Sequence, residues 1–435
     1  MKHLTHLPVL LLIILILSTS LTCTDEKSTG DKKVIRFMFW GGYRDFSLWR
    51  DLKREYEALY LDRTVKLELV SGLYQDKLSL ALVAQSAADV FMVDDDYFKV
   101  TAASGHLENL EPFMEAHQDE LKLDEFFPHA LSSFQLGGAQ YAIPLDGFPI
   151  VLFYNRELFD KDGVGYPEAF WTWQEVLESA RKLTRDTDGD GYTDQFGICL
   201  GTSWLTIVPM IWTYGGDMLS VDLSRCTFND PPAIEAMQFF RDLIFKYKVA
   251  PHGEELADMN DYIMLLTGKV GMILAGAYTV EHLRSIEDGM DWGITLMPSG
   301  PAGKFNRVSF DGIAIYSRSK VKQEAWDWIR LIMTETGQRM IGHEGRALPV
   351  RVGDAYRFYD RPDTRQDESI AIEAMLKYGR TMPNVALQSE IAIATRTHLE
   401  SLKLPDTDVR QVAENLTRDI DKILVKMRDQ YEIWK

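Results

Sequence analysis

Three consecutive acids, Asp94-Asp95-Asp96, close the apolar run DVFMV (89 to 93). Adjacent carboxylates can accept hydroxyl groups of a ligand, or a pair of them can act as acid and base on a glycosidic bond. A second acidic run, DTDGDGYTD (186 to 194), has another spacing: Asp186, Asp188, Asp190 and Asp194 fall at positions 1, 3, 5 and 9 of a calcium loop. Gly191 takes the sharp turn and Tyr192 offers a backbone carbonyl at position 7, and such hard oxygen ligands suit Ca²⁺ over transition metals. Position 12 is Gly197 and not a bidentate Glu, so two readings stay open: a structural calcium site, or a hydrated acidic turn that needs no ion. Aromatic residues adjoin strand ends at Trp40, Tyr74, Tyr97, Phe148, Trp204 and Tyr278. Rings beside carboxylates suit a sugar, whose C–H face packs on the ring while its hydroxyls take strong hydrogen-bond partners. No GxGxxG, GxxxxGK[ST], HExxH or GxSxG motif is present and the histidines are scattered, so no catalytic cofactor is expected.

The elements that must carry these residues alternate. A strand VIRFMFW (34 to 40) ending at Gly41-Gly42 precedes a helix over SLWRDLKREYEALY, with Leu48, Leu52, Tyr56 and Leu59 on one face. Strand VKLELV (65 to 70), a helix near DKLSLALVAQ and strand DVFMV follow. The pattern restarts with strand 151 to 155, helix 172 to 184 and strands 196 to 200, 269 to 276 and 292 to 298, and the last 70 or so residues read as amphipathic helices. Alternation of this kind predicts an α/β fold of βαβ units, with ligands gathered at the carboxyl ends of the strands. There are no internal repeats and no long linker, so two interleaved lobes fit better than separate domains.

The 435 residues carry 47 Lys+Arg against 65 Asp+Glu, and this acidic surplus disfavours a nucleic-acid partner. One stretch departs from the average: after Lys2, an apolar run from Leu7 to Leu17 is too short to span a bilayer and matches the core of a secretory signal peptide. Cys23 follows Ser18, Thr19, Ser20 and Thr22, and the polar stretch TDEKSTGDKK behind it reads as a tether. Cys199 and Cys226 could pair after export or remain buried thiols, and the spacing leaves both open.

Six stretches in order, among them YQDKLSLALVAQSAADVFMVDDD (74 to 96), QYAIPLDGFPIVLFYNRELFDKDGV (140 to 164), GKVGMILAGAY (268 to 278) and TMPNVALQSEIAIATRT (381 to 397), resemble a known family. The chain is similar, from about residue 34 onward, to the sugar-binding extracellular solute-binding proteins of bacterial ABC importers, the maltose-binding-protein-like group. Cys23 also resembles a lipobox cysteine, although Ser20 and Thr22 replace the usual Leu and small residue; a plain cleaved signal is the other reading. The resemblance implies a two-lobed periplasmic-binding fold crossed near 143 to 153, 297 to 301 and 335 to 345. Residues 1–22 would be the signal, 23–33 the tether, 34–145 with 299–335 one lobe, and 150–297 with 340–435 the other. It implies ligand contacts from Trp40, Gly41, Tyr43, Tyr74, Asp94, Asp96, Asp146, Phe148, Thr202, Ser203, Trp204, Tyr278, Asp311 and Arg396. Ala392 and Val93 stand where maltose-binding protein has aromatics, a departure from the maltodextrin pattern that leaves a carbohydrate as the expectation. The expected molecule is a monomer at the outer face of a membrane, delivering sugar to permease subunits without covalent chemistry. Two alternatives are a secreted glycoside hydrolase using Asp94, Asp96 or Asp146, and a receptor for a non-sugar solute such as a polyol phosphate.

Overall fold

The computed structural model describes residues 32–431 except 202, 253–254, 256–259, 285, 287–288, 345–346, 360–364, 366 and 384. The expected signal, Cys23 and Thr202 therefore lie outside the described residues, as does nearly all of the tether.

The first lobe is built on β1 (Lys33–Trp40), flanked in parallel by β2 (Arg63–Val70) and β3 (Val90–Asp94). Helix α1 (Tyr43–Leu59) buries Leu48, Trp49, Leu52 and Tyr56 at helical spacing, while α2 (Tyr74–Val83) and α3 (Asp95–Ala103) complete the βαβ pattern. The sheet is not wholly parallel. Strand Asn306–Ile315 runs antiparallel between β3 and the 13-residue strand Ile143–Asn155.

That long strand joins the lobes. Its first half pairs with the strand Asn306–Ile315, and its second half pairs with Met272–Gly276 and Trp292–Thr295. Strand side chains alternate faces, and here Val151 and Phe153 enter one core while Ile150, Leu152 and Tyr154 enter the other. The second core also takes helices Trp173–Leu183, Trp204–Thr213, Pro231–Phe245, Gln388–Glu400 and Val409–Gln430. Trp173–Leu183 starts at a capping box, with the Thr172 hydroxyl accepting from the Glu175 amide and the Glu175 carboxylate accepting from the Thr172 amide. Among the described residues no helix is long and apolar enough to cross a membrane.

Three expectations change. The segment 196 to 200 forms only isolated bridges, Phe196 to Val270 and Cys199 to Ile273, because the Gly197 and Ile198 amides turn to the Val249 carbonyl. The third crossing near 335 to 345 is instead helix Glu335–Glu344, packed on α1. The buried Gln338 amide holds it there, donating to the Leu145 carbonyl and accepting from the Val350 amide, and Leu348–Pro349 pairs with Asp146 and Gly147. The chain returns to the second lobe only afterwards, through helix Ile370–Lys377. Strand Asn306–Ile315 has no counterpart among the expected strands. Cys199 and Cys226 are separate buried thiols, and burial pushes their pKa values up to about 12 and about 11.

Candidate functional site

A cavity of about 350 Å³ opens where the carboxyl ends of β1 and β3 meet the second lobe. The first lobe contributes Trp40, Asp94, Asp95, Asp96, Arg307, Ser309, Asp311 and Ala347; Leu205 and Tyr278 come from the second, and Phe148 from the strand between them. A molecule here touches both lobes at once.

The acids owe their places to the β3–α3 junction. Asp94 is the N-cap of α3, accepting from the Tyr97 amide at 2.8 Å, and its other oxygen accepts from the Gln75 side chain. Asp95 turns inward and takes the Ser309 hydroxyl at 3.1 Å and the Phe310 amide at 3.3 Å. Asp96 receives Nη2 of Arg307 at 3.3 and 3.4 Å. Across the ladder Asp94 is the register partner of Asp311, whose partner on the other side is Asp146.

These carboxyls do not behave as surface acids. Burial, then the neighbouring Asp96 and Asp311, push Asp94 up to about 8. Burial also raises Asp95 well above the usual range and raises Asp96 in spite of Arg307. Arg307 is itself 0% exposed. Its Nε and Nη1 have no hydrogen-bond partner among the described residues.

The aromatic side is held by rings. Tyr278, 38% exposed, meets Phe148 edge to face at 4.9 Å, and Trp40 meets Tyr74 in the same way. The Tyr74 hydroxyl donates to the Met92 carbonyl at 2.8 Å, so Tyr74 supports Trp40 from behind the sheet edge without lining the cavity.

Of the expected contacts, Trp40, Asp94, Asp96, Phe148, Tyr278 and Asp311 line the cavity, whereas Gly41, Tyr43, Asp146, Ser203, Trp204 and Arg396 do not. Gly41, at φ +139°, turns the chain out of β1, where a Cβ would lie 2.2 Å from the Asp45 carboxylate. Tyr43 is 81% exposed, Trp204 is buried in the second core, and Ser203 is the N-cap residue of the helix that Trp204 begins. Asp146 is fully buried in the sheet. Arg396 lies on the exposed face of its helix, whose buried face carries Ile391 and Thr395. Arg307 and Ser309 were not expected. The signal was the alternation Arg307, Val308, Ser309, Phe310, Asp311, which puts three polar residues on one face of a strand.

The calcium-like loop lies elsewhere, on the surface of the second lobe. Oxygens of Asp186, Asp188 and Asp194 lie within 4.8 Å of one another, all three residues being exposed. Backbone amides already use them: Gly189 and Gly191 donate to Asp186, Asp190 to Asp188, and Thr187 to Asp194 at 2.7 Å. The Tyr192 amide donates to Asp190. A Cβ at Gly197 would fall 2.2 Å from the Ala180 backbone, so packing on helix Trp173–Leu183 closes position 12 to any side chain.

Two α/β lobes joined by a shared strand, with a polar and aromatic cavity between them, define a protein that binds a small molecule in a cleft. The family model for bacterial extracellular solute-binding proteins matches residues 40–339, and the chain belongs to that family. It is a family of solute-binding proteins and not of enzymes. A Brucella abortus protein named only as a binding protein is 24% identical over 383 residues, covering 87% of this chain and 90% of its own. The maltotriose-binding protein of Pyrococcus abyssi is 24% identical over 278 residues, 63% of this chain and 55% of its own. Among solved structures, an ABC substrate-binding protein of Listeria monocytogenes in complex with cycloalternan superposes with a TM-score of 0.81 at 22% identity, over 91% of this chain and all of that one. The Thermus thermophilus maltotriose-binding protein bound with maltotriose gives 0.72 at 19% identity, over 90% and 100%.

Proposed function

We propose that the protein captures a sugar or short oligosaccharide between its lobes and delivers it to the membrane permease of an ABC importer. The observation that carries this is the cavity itself: carboxyl groups on the first lobe face Tyr278 on the second across a space at the small end of ligand pockets. Hydroxyls would donate to Asp94 and Asp311 while a ring packs against Trp40, Phe148 or Tyr278. A ligand that touches both lobes favours the state in which both are close, so binding drives hinge closure without any covalent step. The names of relatives from Pyrococcus abyssi and Bacillus subtilis, the latter an arabinooligosaccharide-binding protein, support a carbohydrate. The residues 1–22 support export, and Cys23 supports a lipid anchor that keeps a monomeric receptor beside its permease. For the loop of Asp186, Asp188, Asp190, Tyr192 and Asp194 we propose a structural calcium ion, supported by the convergence of three carboxylates.

Thermal unfolding across mono- and oligosaccharides tests the main reading. A sugar at 100 times its dissociation constant adds about 2.7 kcal/mol of stability. Recovery of the sugar unchanged separates a receptor from a hydrolase; stabilisation by no sugar would refute the reading.

A further inference from the structure

Two consecutive residues, Tyr74 and Gln75, open α2 and hold groups of the cavity without lining it themselves. The Tyr74 ring meets Trp40 edge to face at 4.9 Å, and its hydroxyl lies 2.8 Å from the Met92 carbonyl and 3.2 Å from that of Met38. Met38 precedes Trp40 by two positions in β1, and Met92 precedes Asp94 by two in β3. One hydroxyl therefore ties both strands just before the residues that reach the ligand space. Gln75 acts on the acid directly. Its side-chain amide donates to Oδ2 of Asp94 while the Tyr97 amide donates to Oδ1 at 2.8 Å, and donors on both oxygens fix the plane of the carboxyl.

The turn that delivers these residues is not built for helix stability. Gly72 at φ +69° and Leu73 at φ +48° are both left-handed, and a leucine in that conformation is strained. Leu73 is also the N-cap residue, where it offers no oxygen to the first amides of α2, and its side chain is 74% exposed. Neither packing nor capping accounts for so sharp a turn. What it achieves is to bring Tyr74 against Trp40 and Gln75 against Asp94.

We propose that Gln75 is a positioning residue for the sugar, and that with Tyr74 it sets Asp94 and Trp40 in their binding positions whatever the angle between the lobes. This rests on the reading of the cavity as a sugar site. All four residues belong to the first lobe, so hinge motion leaves their contacts intact. A carboxyl held in one orientation needs no ordering when a hydroxyl donates to it, and a braced ring needs none when a sugar face packs on it. Donation by Gln75 also favours the ionised form of Asp94. It works against burial, Asp96 on α3 and Asp311 on the facing strand, which push that carboxyl up to about 8.

Two measurements test this, the first without any sugar. Carbon-13 titration of the aspartate carboxyls, with Asp94→Asn assigning the signal, should place the Asp94 midpoint about one pH unit higher in Gln75→Leu than in the wild type. An unmoved midpoint overturns the proposal. The second is calorimetry with each sugar of the thermal screen, maltotriose, maltose, D-glucose and L-arabinose among them. Any that binds the wild type should bind Gln75→Leu about tenfold more weakly, while Leu80→Ala, on the exposed face of the same helix, should bind as the wild type does. Equal affinity in Gln75→Leu, or an equal loss in Leu80→Ala, overturns the positioning role. Gln75→Met, unbranched like Gln, repeats both measurements should the leucine variant fold poorly. Binding of no sugar refutes the sugar reading, and the titration then decides by itself whether Gln75 holds Asp94.

Discussion

The chain holds two acidic clusters of similar composition that behave in opposite ways. In the loop Asp186–Asp194 the carboxylates sit in water and accept from backbone amides of their own turn, and hydrogen bonds from Thr187 hold Asp194 below its ordinary range. At the head of α3 Asp95 is buried and Asp94 and Asp96 are half-buried at the cavity wall, Asp94 is crowded by Asp311, and this enclosure raises all three. An acid's chemistry here follows first from where the sheet puts it, and only then from the acids beside it in sequence.

The largest expected effect of breaking this contrast is at Arg307. Arg307→Met leaves Asp96 without its ion-pair partner and should cost about 3–5 kcal/mol in urea unfolding, whereas Asp188→Ala in the exposed loop should change stability by less than about 0.5 kcal/mol. Costs of equal size would show that burial is not what separates the clusters. Next is Gly197→Ala, where the new Cβ meets the Ala180 backbone. Overpacking of this kind costs about 1–3 kcal/mol, and a neutral result would mean the loop's end is less tightly packed than its geometry requires.

Acid dependence distinguishes the clusters by sign. Asp94 is displaced from 3.8 up to about 8 in the folded state, so between those values the folded chain keeps a proton that the unfolded chain has lost. Its contribution therefore favours folding at the acidic end of that window and fades as pH rises toward 8. Asp194, displaced downward, contributes in the opposite sense: its stabilisation is present above the usual carboxylate range and is lost as pH falls through its lowered value. Melting temperatures of the ligand-free protein from pH 5 to 8 should fall less steeply in Asp94→Asn than in the wild type, and identical slopes would remove Asp94 as the cause. The smallest effect is the metal: calorimetry with Ca²⁺ should show heat that Asp188→Ala abolishes, and the same trace from both proteins would make the loop a hydrated turn.

Much of the first lobe could be read in advance because its signals are local. The apolar runs at 34 to 40, 65 to 70 and 89 to 93 became β1, β2 and β3, and the residues closing them, Trp40 and Asp94, reached the cavity. Strand Asn306–Ile315 escaped because Asn306, Arg307, Ser309 and Asp311 interrupt any apolar run, and its meaning lies in alternation. Arg396 was carried over by likeness of motif, but helix Gln388–Glu400 presents it to solvent. Likewise a run ending in Gly197 satisfied a calcium spacing up to its last position, where packing against Ala180 decided the residue.

What the amino-acid order determined by itself was periodicity and punctuation: alternating α/β elements, the acidic turn at 186 to 194, and an apolar run from Leu7 to Leu17 ahead of Cys23. These follow from propensity and near-neighbour chemistry, which do not depend on the rest of the fold. Only the tertiary structure decided that Asp94, Asp311 and Asp146 lie abreast on three strands, that a fully buried Arg307 reaches Asp96, and that one strand carries both lobes. Asp94 and Arg307 are more than 200 positions apart in the chain, and only the pairing of β3 with Asn306–Ile315 and the burial it imposes gives them a common chemistry.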